Sequence, residues 1–178
     1  MDARRETEST PMKSRTTVER KSERELVVTR TFNAPARIVF DAWTKPDALK
    51  RWWAPKSFGI SFISCEVDVR AGGTYRLVFG HPASEQPMEF FGRYIEVTPH
   101  SRLVWTNDEG GEGGAVTTVT FEQRGAETLV VMHDLYPSKE ALDGAIASGS
   151  TSGFSEAFEQ LDELLVTPGA SVGRTHVS

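Results

Sequence analysis

The side chains able to do acid–base or nucleophilic chemistry are few and scattered along this 178-residue chain. An aldol-type cyclisation needs a polar group to hold an enolate and an acid or base beside it. Tyr94, Arg93, Glu96, Asn107, His133 and Asp134 are the polar residues on strand-like runs that could serve. His133 is the most inviting base. A single histidine among Val130, Val131, Met132 and Leu135 is, however, more often a hydrogen-bonded structural residue. Glu89, Glu96 and Arg93 fit cross-strand charge pairs on an outer sheet face. Cys65, the only cysteine, reads as a small core hydrophobe rather than a nucleophile. His81, His100, His133 and His176 lie far apart and no His-Glu-x-x-His is present, so no metal site is expected. Gly149-Ser150-Thr151-Ser152-Gly153 has threonine where a nucleophile elbow needs serine, and no strand leads into it. Gly110 to Gly114 lacks the last glycine of a dinucleotide loop and joins two strands. No catalytic residue is assigned, and no cofactor is expected.

Aromatic side chains carry the stronger signal. Trp43, Trp52 and Trp53 fall on or beside two short helical runs, and Trp105 falls in a strand. They offer flat apolar surfaces to a ring or an acyl chain. The competing role is core, which suits Trp43 and Trp105 better. Trp52 and Trp53 are adjacent, so on a helix they point about 100° apart and only one faces fully inward. Tyr75, Leu77 and Phe79 alternate onto one strand face and are expected to meet Phe154, Phe158 and Leu161 of the last helix. Phe58, Tyr94, Phe121 and His133 complete the set of candidate ligand-binding residues. A filled core uses the same residue types, so the stripe alone proves no pocket.

The elements that must hold these residues follow from periodicity. Leu26 to Phe32 is a β-branched strand. Asn33 and Pro35 then suit a helix N-cap and first turn, with Ile38, Val39, Ala42 and Trp43 at helical spacing. Pro46 opens a second short helix, Asp47 to Trp53. Strands are predicted over Phe58–Val69, Thr74–Phe79, Met88–Val97, Arg102–Thr106, Ala115–Phe121 and Thr128–Leu135, with His81–Gln86 and Asn107–Gly114 as loops. Pro137-Ser138 opens a helical region whose Ser148–Gly153 stretch is weak helix. Beyond it Phe154, Ala157, Phe158, Leu161, Leu164 and Leu165 form one apolar stripe, and Pro168-Gly169 ends it. Short connections favour antiparallel neighbours. The expected fold is α+β: a curved seven-stranded antiparallel sheet around a long C-terminal helix, with two short helices between the first and second strands.

Composition sets the limits. Hydrophobic residues make up 38% and charged residues 25%, an ordinary globular profile. Residues 1–24 hold seven basic and five acidic side chains, and the remainder 13 and 20, so a net +2 segment precedes a domain at −7. A domain of that charge repels phosphate backbones, and nucleic-acid binding is not expected. No apolar run reaches the roughly 18 residues of a membrane span. One cysteine fits a reducing, cytoplasmic compartment. The chain divides into a disordered leader (1–24), one domain (25–167) and a flexible tail (168–178).

Several segments together resemble a known family. They are Arg30-Thr31-Phe32-Asn33-Ala34-Pro35, Val39-Phe40-Asp41-Ala42-Trp43-Thr44, Arg51-Trp52-Trp53-Ala54-Pro55, Asp68 to Tyr75, Phe91-Gly92-Arg93-Tyr94, Arg102 to Thr106, and Phe154 to Leu165. In order and spacing they resemble the START/birch-pollen-allergen helix-grip superfamily (SRPBCC). Within it, they resemble the activator of heat-shock-protein ATPase homologues. The resemblance implies a helix-grip fold and, as in some members, a hydrophobic ligand in an internal cavity. The expectation is therefore a binder of a small lipid-like or aromatic molecule. The alternatives are a polyketide cyclase- or dehydratase-like enzyme, or a co-chaperone-type stimulator of a chaperone ATPase. No membrane partner is expected. An exposed strand edge or the Trp52-Trp53 region offers a route to a homodimer.

Overall fold

The structure, a computed structural model, describes residues 16–108, 114–148 and 153–166. Eight strands run as β1 Thr17–Arg20, β2 Glu25–Phe32, β3 Ser61–Val67, β4 Thr74–His81, β5 Ser84–Thr98, β6 Arg102–Thr106, β7 Val116–Arg124 and β8 Glu127–Leu135. The helices among the described residues are α1 Ala36–Thr44, α2 Pro46–Trp52, α3 Lys139–Ala147 and α4 Phe154–Val166, with a 3-10 turn at Lys56–Phe58. The strands form one sheet in the order β1-β2-β8-β7-β6-β5-β4-β3, every neighbouring pair antiparallel. This is the expected α+β helix-grip arrangement, with eight strands instead of seven. Among the described residues, no helix is long and apolar enough to cross a membrane.

The extra strand lies in the segment read as a disordered leader. Thr17 to Arg20 pairs with Leu26 to Thr29, and all four of its residues are exposed. A strand with no buried face leaves no apolar alternation to read; its ladder is made by backbone groups alone. Residues 1–15, the tail beyond 166, the loop core 109–113 and residues 149–152 lie outside the described residues.

Three further boundaries differ from expectation for local reasons. The run His81–Gln86, read as a loop, is a tight β4–β5 hairpin with His81 opposite Ser84. The His81 Nδ1 accepts the Ala83 N–H at 2.9 Å across the turn. Helix α1 starts at Ala36 rather than behind an Asn33 cap: the Ala36 N–H is taken by the Gln123 Oε1 of β7 at 2.6 Å. The capping group thus comes from a distant strand. Phe58, expected to open a strand, instead ends the 3-10 turn, where Gly59 at φ 72° turns the chain before β3. The last helical region is two helices, with Ser138 capping α3 by accepting the Ala141 N–H at 3.0 Å.

Sheet register explains the core. On β2 and β8 burial alternates residue by residue. Residues paired directly across antiparallel strands share a face. One inner row therefore runs Tyr94–Trp105–Thr117–Asp134–Leu26, and the next runs Val97–Leu103–Val119–Met132–Val28. Helices α1 and α4 lie over β1, β2, β7 and β8, and α2 touches β3 and α4. Strand β5 serves two neighbours: its first part pairs with β4, and Tyr94–Thr98 pairs with β6, with an irregularity between Tyr94 and Glu96. At that corner a Cβ on Gly92 would lie 2.0 Å from the Thr106 carbonyl oxygen, so only glycine lets β5 and β6 approach.

Candidate functional site

Helix α1 delivers Trp43 to the middle of an aromatic cluster. Its ring centroid lies 4.8 Å from Trp52, 5.9 Å from Trp53, 6.2 Å from Trp105, 6.0 Å from Phe121 and 5.9 Å from Phe158. Edge-to-face pairs of this kind contribute roughly 0.5–1.5 kcal/mol each beyond area burial. Trp52 is fully buried and donates its indole N–H to the Ala42 carbonyl at 2.9 Å. Trp53 is half-buried, so the adjacent pair divides as helical geometry requires. Trp105 then links this cluster to the strands, with Tyr75 at 6.5 Å and Tyr94 at 6.4 Å.

The inner face divides into a covered and an uncovered half. Under α4, Phe158 packs on Phe32 at 5.7 Å, and Leu161 is fully buried. Phe154 is half-buried against the same core. Tyr75, Leu77 and Phe79 belong to the same core cluster as Phe158 and Leu161. Phe79 stacks on Phe62 at 4.3 Å and Phe90 at 5.5 Å, both from neighbouring strands. Phe79 is 1% exposed, whereas Phe90 and Met88, opposite Leu77 and Phe79 on the same face, are 37% and 39% exposed. The aromatic surface therefore runs from sealed core at Trp43 to open strand at Met88.

The rim segment, Trp53–Phe58, follows α2 and is fastened to α4. The buried Gln160 donates to the carbonyls of Trp52 and Ala54 at 2.9 and 3.0 Å and accepts the Lys56 N–H at 2.8 Å. Glu156 accepts from the Ser57 N–H at 2.9 Å and from its hydroxyl, which holds its carboxyl below the usual range. Trp53 and the 38%-exposed Phe58 ride on this segment. Gly153 makes room for it, since a Cβ there would lie 2.8 Å from Pro55 and 2.9 Å from Phe58.

The polar candidates are re-sorted by strand parity. His133, named as a ligand-binding residue, alternates with the buried Met132 and Asp134 and so faces outward. There its Nε2 lies 2.8 Å from the Glu25 carboxylate, whose pKa it lowers. Asp134 faces inward instead. It accepts from the Thr117 hydroxyl at 2.6 Å, and burial pushes its carboxyl up to about 6 despite that bond. Thr117 in turn accepts from the Asn107 amide at 3.0 Å, and the Tyr75 hydroxyl donates to the Thr106 carbonyl at 2.8 Å. A polar chain thus crosses β8 and β7 to Asn107 just beyond β6, beside Trp105. Arg93 and Glu96 stay on the surface, in ion pairs with Asp108 at 3.8 Å and Arg102 at 3.1 Å. Cys65 is half-buried and opposite Leu77, and burial raises its thiol pKa.

Arg30 was not singled out from sequence. It is 5% exposed on the inner face, bonded to the Thr16 hydroxyl at 2.9 Å and paired with Asp162 of α4 at 3.4 Å. Its position between Val28 and Phe32 on a strictly alternating strand was the available signal. Among the described residues, no group of three or more histidine, cysteine, aspartate or glutamate side chains could hold a metal ion.

Solved structures share this architecture. A Rhodobacter sphaeroides protein is 25% identical over 84% of this chain and 97% of its own, with a TM-score of 0.76. A Mycobacterium smegmatis protein is 23% identical over 84% and 97%, at 0.71. An AHSA1-like protein from Aeromonas hydrophila is 19% identical over 77% and 92%, at 0.62. No functionally curated protein matches the chain. A family model described as "Activator of Hsp90 ATPase homolog 1-like protein" matches residues 33–166, from the β2–α1 junction to the end of α4, and the chain belongs to that family.

Proposed function

We propose that the protein binds a small apolar molecule, aromatic or lipid-like, against the uncovered half of the inner sheet face and beneath the Trp53–Phe58 rim. The observation that carries this reading is the graded exposure of one continuous apolar surface, from buried Phe79 to the one-third-exposed Phe90 and Met88. Large apolar side chains left accessible on the concave side of a sheet are the usual lining of a ligand site. Tyr75, Leu77, Phe79, Tyr94 and Trp105 line it in this reading, with Trp53 and Phe58 at the mouth. Trp52, Phe121, Phe154, Phe158 and Leu161 act behind it as support, and His133 has no part in it.

Titration of the intrinsic tryptophan fluorescence with fatty acids, flavonoids and aromatic polyketides tests the proposal. Saturable quenching at micromolar ligand, diminished in Trp53→Phe, is the expected result. A flat response to the whole panel rejects it and moves attention to a chaperone partner, testable by pull-down.

A second reading, a cyclase- or dehydratase-like enzyme, is favoured by one observation, the inward Asp134 with its Thr117 and Asn107 partners. It predicts turnover of a bound polyketide that Asp134→Asn abolishes without weakening binding.

A further inference from the structure

The Lys56–Gly59 turn is tied to α4 by two side chains that differ in burial. Gln160, 8% exposed, holds the chain leading into it, donating to the Trp52 and Ala54 carbonyls and accepting the Lys56 N–H. Pro55, next to these bonds, is buried, whereas Lys56, Ser57, Phe58 and Gly59 are all exposed. Beyond the Lys56 N–H, the turn's hydrogen bonds to other elements, among the described residues, are those of Ser57 to the Glu156 carboxylate, one from its N–H at 2.9 Å and one from its hydroxyl. The Phe58 N–H to Pro55 carbonyl and Gly59 N–H to Lys56 carbonyl bonds, at 3.0 and 3.1 Å, close the turn on itself and can move with it.

Burial sets these two fastenings apart. Breaking the Gln160 bonds strands buried groups, while water can replace Glu156 at the exposed Ser57. Pro55 and Gly59 bracket the movable part, and Gly59 at φ 72° occupies a region that glycine enters freely. The Phe58 ring rests its tip over Gly153, where a Cβ would lie 2.9 Å away, and is otherwise 38% exposed. The segment also has a definite place over the sheet. At one end Trp53 lies 6.4 Å from Trp105, whose ring is 6.5 Å from Tyr75. At the other, a Cβ on Gly59 would lie 3.3 Å from the His81 Nε2, two residues past Phe79. Its ends therefore stand at the two ends of the Tyr75–Leu77–Phe79 row.

Resting on the small-molecule reading above, we infer that Lys56–Gly59 is the gate through which an apolar ligand enters. Gln160 is its fixed post, the Ser57–Glu156 pair is its latch, and Phe58 swings out with the turn. Gates of this kind are drawn from segments that open locally at much lower free energy than the whole domain.

The test is Ser57→Ala in the full chain, which removes the hydroxyl's bond and leaves the N–H of residue 57 facing Glu156. Amide hydrogen exchange, corrected for intrinsic rates, reads the latch without a ligand. In the native protein Ser57 is expected to exchange faster than Lys56. In the variant, exchange at residue 57 should rise about tenfold, the worth of one hydrogen bond, and at Lys56 it should stay within about twofold of native. Equal protection of the two native amides, a parallel rise at both, or no rise at residue 57 overturns the latch. Stopped-flow binding of N-phenyl-1-naphthylamine, a neutral aromatic that fluoresces out of water, reads the gate. Association and dissociation should both quicken about tenfold, with Kd within about twofold of native, because the gate is shut in the free and the bound protein alike. Unchanged rates, or faster dissociation alone, overturn the gate and leave small-molecule binding standing. Failure of this probe to bind the native protein overturns the gate as a route for neutral aromatics, and the fluorescence panel then decides separately whether the site stands.

Discussion

The two halves of the inner sheet face are made from the same kinds of residue and end in different states. Over β2, β8 and β7, Phe32, Val130, Met132, Val119 and Phe121 lie beneath α1 and α4 and are at most 4% exposed. Over β4 and β5, Phe79 is equally buried, but Phe90 and Met88 beside it remain one-third exposed. Residue type does not separate core from site here; the layer above does. Helix α4 is drawn to the first half by Phe158, Leu161 and the Arg30–Asp162 pair. Gln160 and Glu156 extend its hold only as far as the rim.

Truncation on either side is the sharpest way to break this contrast. Phe158→Ala removes a fully buried ring from the covered half and is expected to cost about 3–5 kcal/mol in chemical denaturation. Phe90→Ala, on the open half, is expected to cost under about 1 kcal/mol and to remove ligand-dependent fluorescence quenching instead. Similar stability losses at the two positions would mean that the open half is ordinary core.

The dryness of the covered half is testable by pH. Asp134 has its pKa raised to about 6 from 3.8, so the folded state binds its proton more tightly than the unfolded state. Its contribution to stability is fully present below pH 3.8 and is lost as pH rises through about 6. Asp134→Asn cannot titrate, and its amide oxygen can still accept from Thr117. Relative to native protein, the variant should therefore gain about 3 kcal/mol between pH 3.5 and pH 7, from roughly 1.4 kcal/mol per pKa unit. A stability difference that does not change with pH would place water at Asp134. The smallest effect belongs to the outer face under the open half, where Arg76 pairs with Glu89 in solvent. Arg76→Ala should change stability by less than about 1 kcal/mol and ligand affinity not at all.

Much of this arrangement was legible in the residues. The alternation of Tyr75, Leu77 and Phe79 announced their face, and the apolar stripe from Phe154 to Leu165 announced α4. What was not legible depends on partners far away in sequence. Gln123 caps α1 across 87 residues, which no local cap signal carries. Strand β1 has no buried side chain to betray it. For His133 and Asp134 the composition is the same either way, and a register one residue different would have exchanged their faces. Which apolar residues stay uncovered was likewise unreadable, because it depends on where α4 comes to rest.

The pairing of β2 with β8 has a consequence for how the chain is made. Glu25 and His133 touch across 108 residues of sequence. On a ribosome adding about 5–20 residues each second, β2 emerges roughly 5–20 s before its main partner exists. Throughout that interval Leu26, Val28 and Phe32 have no sheet to join except the short polar β1. This segment is therefore the natural place for a nascent chain to engage a holdase or to aggregate. Synthesis that pauses before β8 should lengthen that exposure more than a pause anywhere after it.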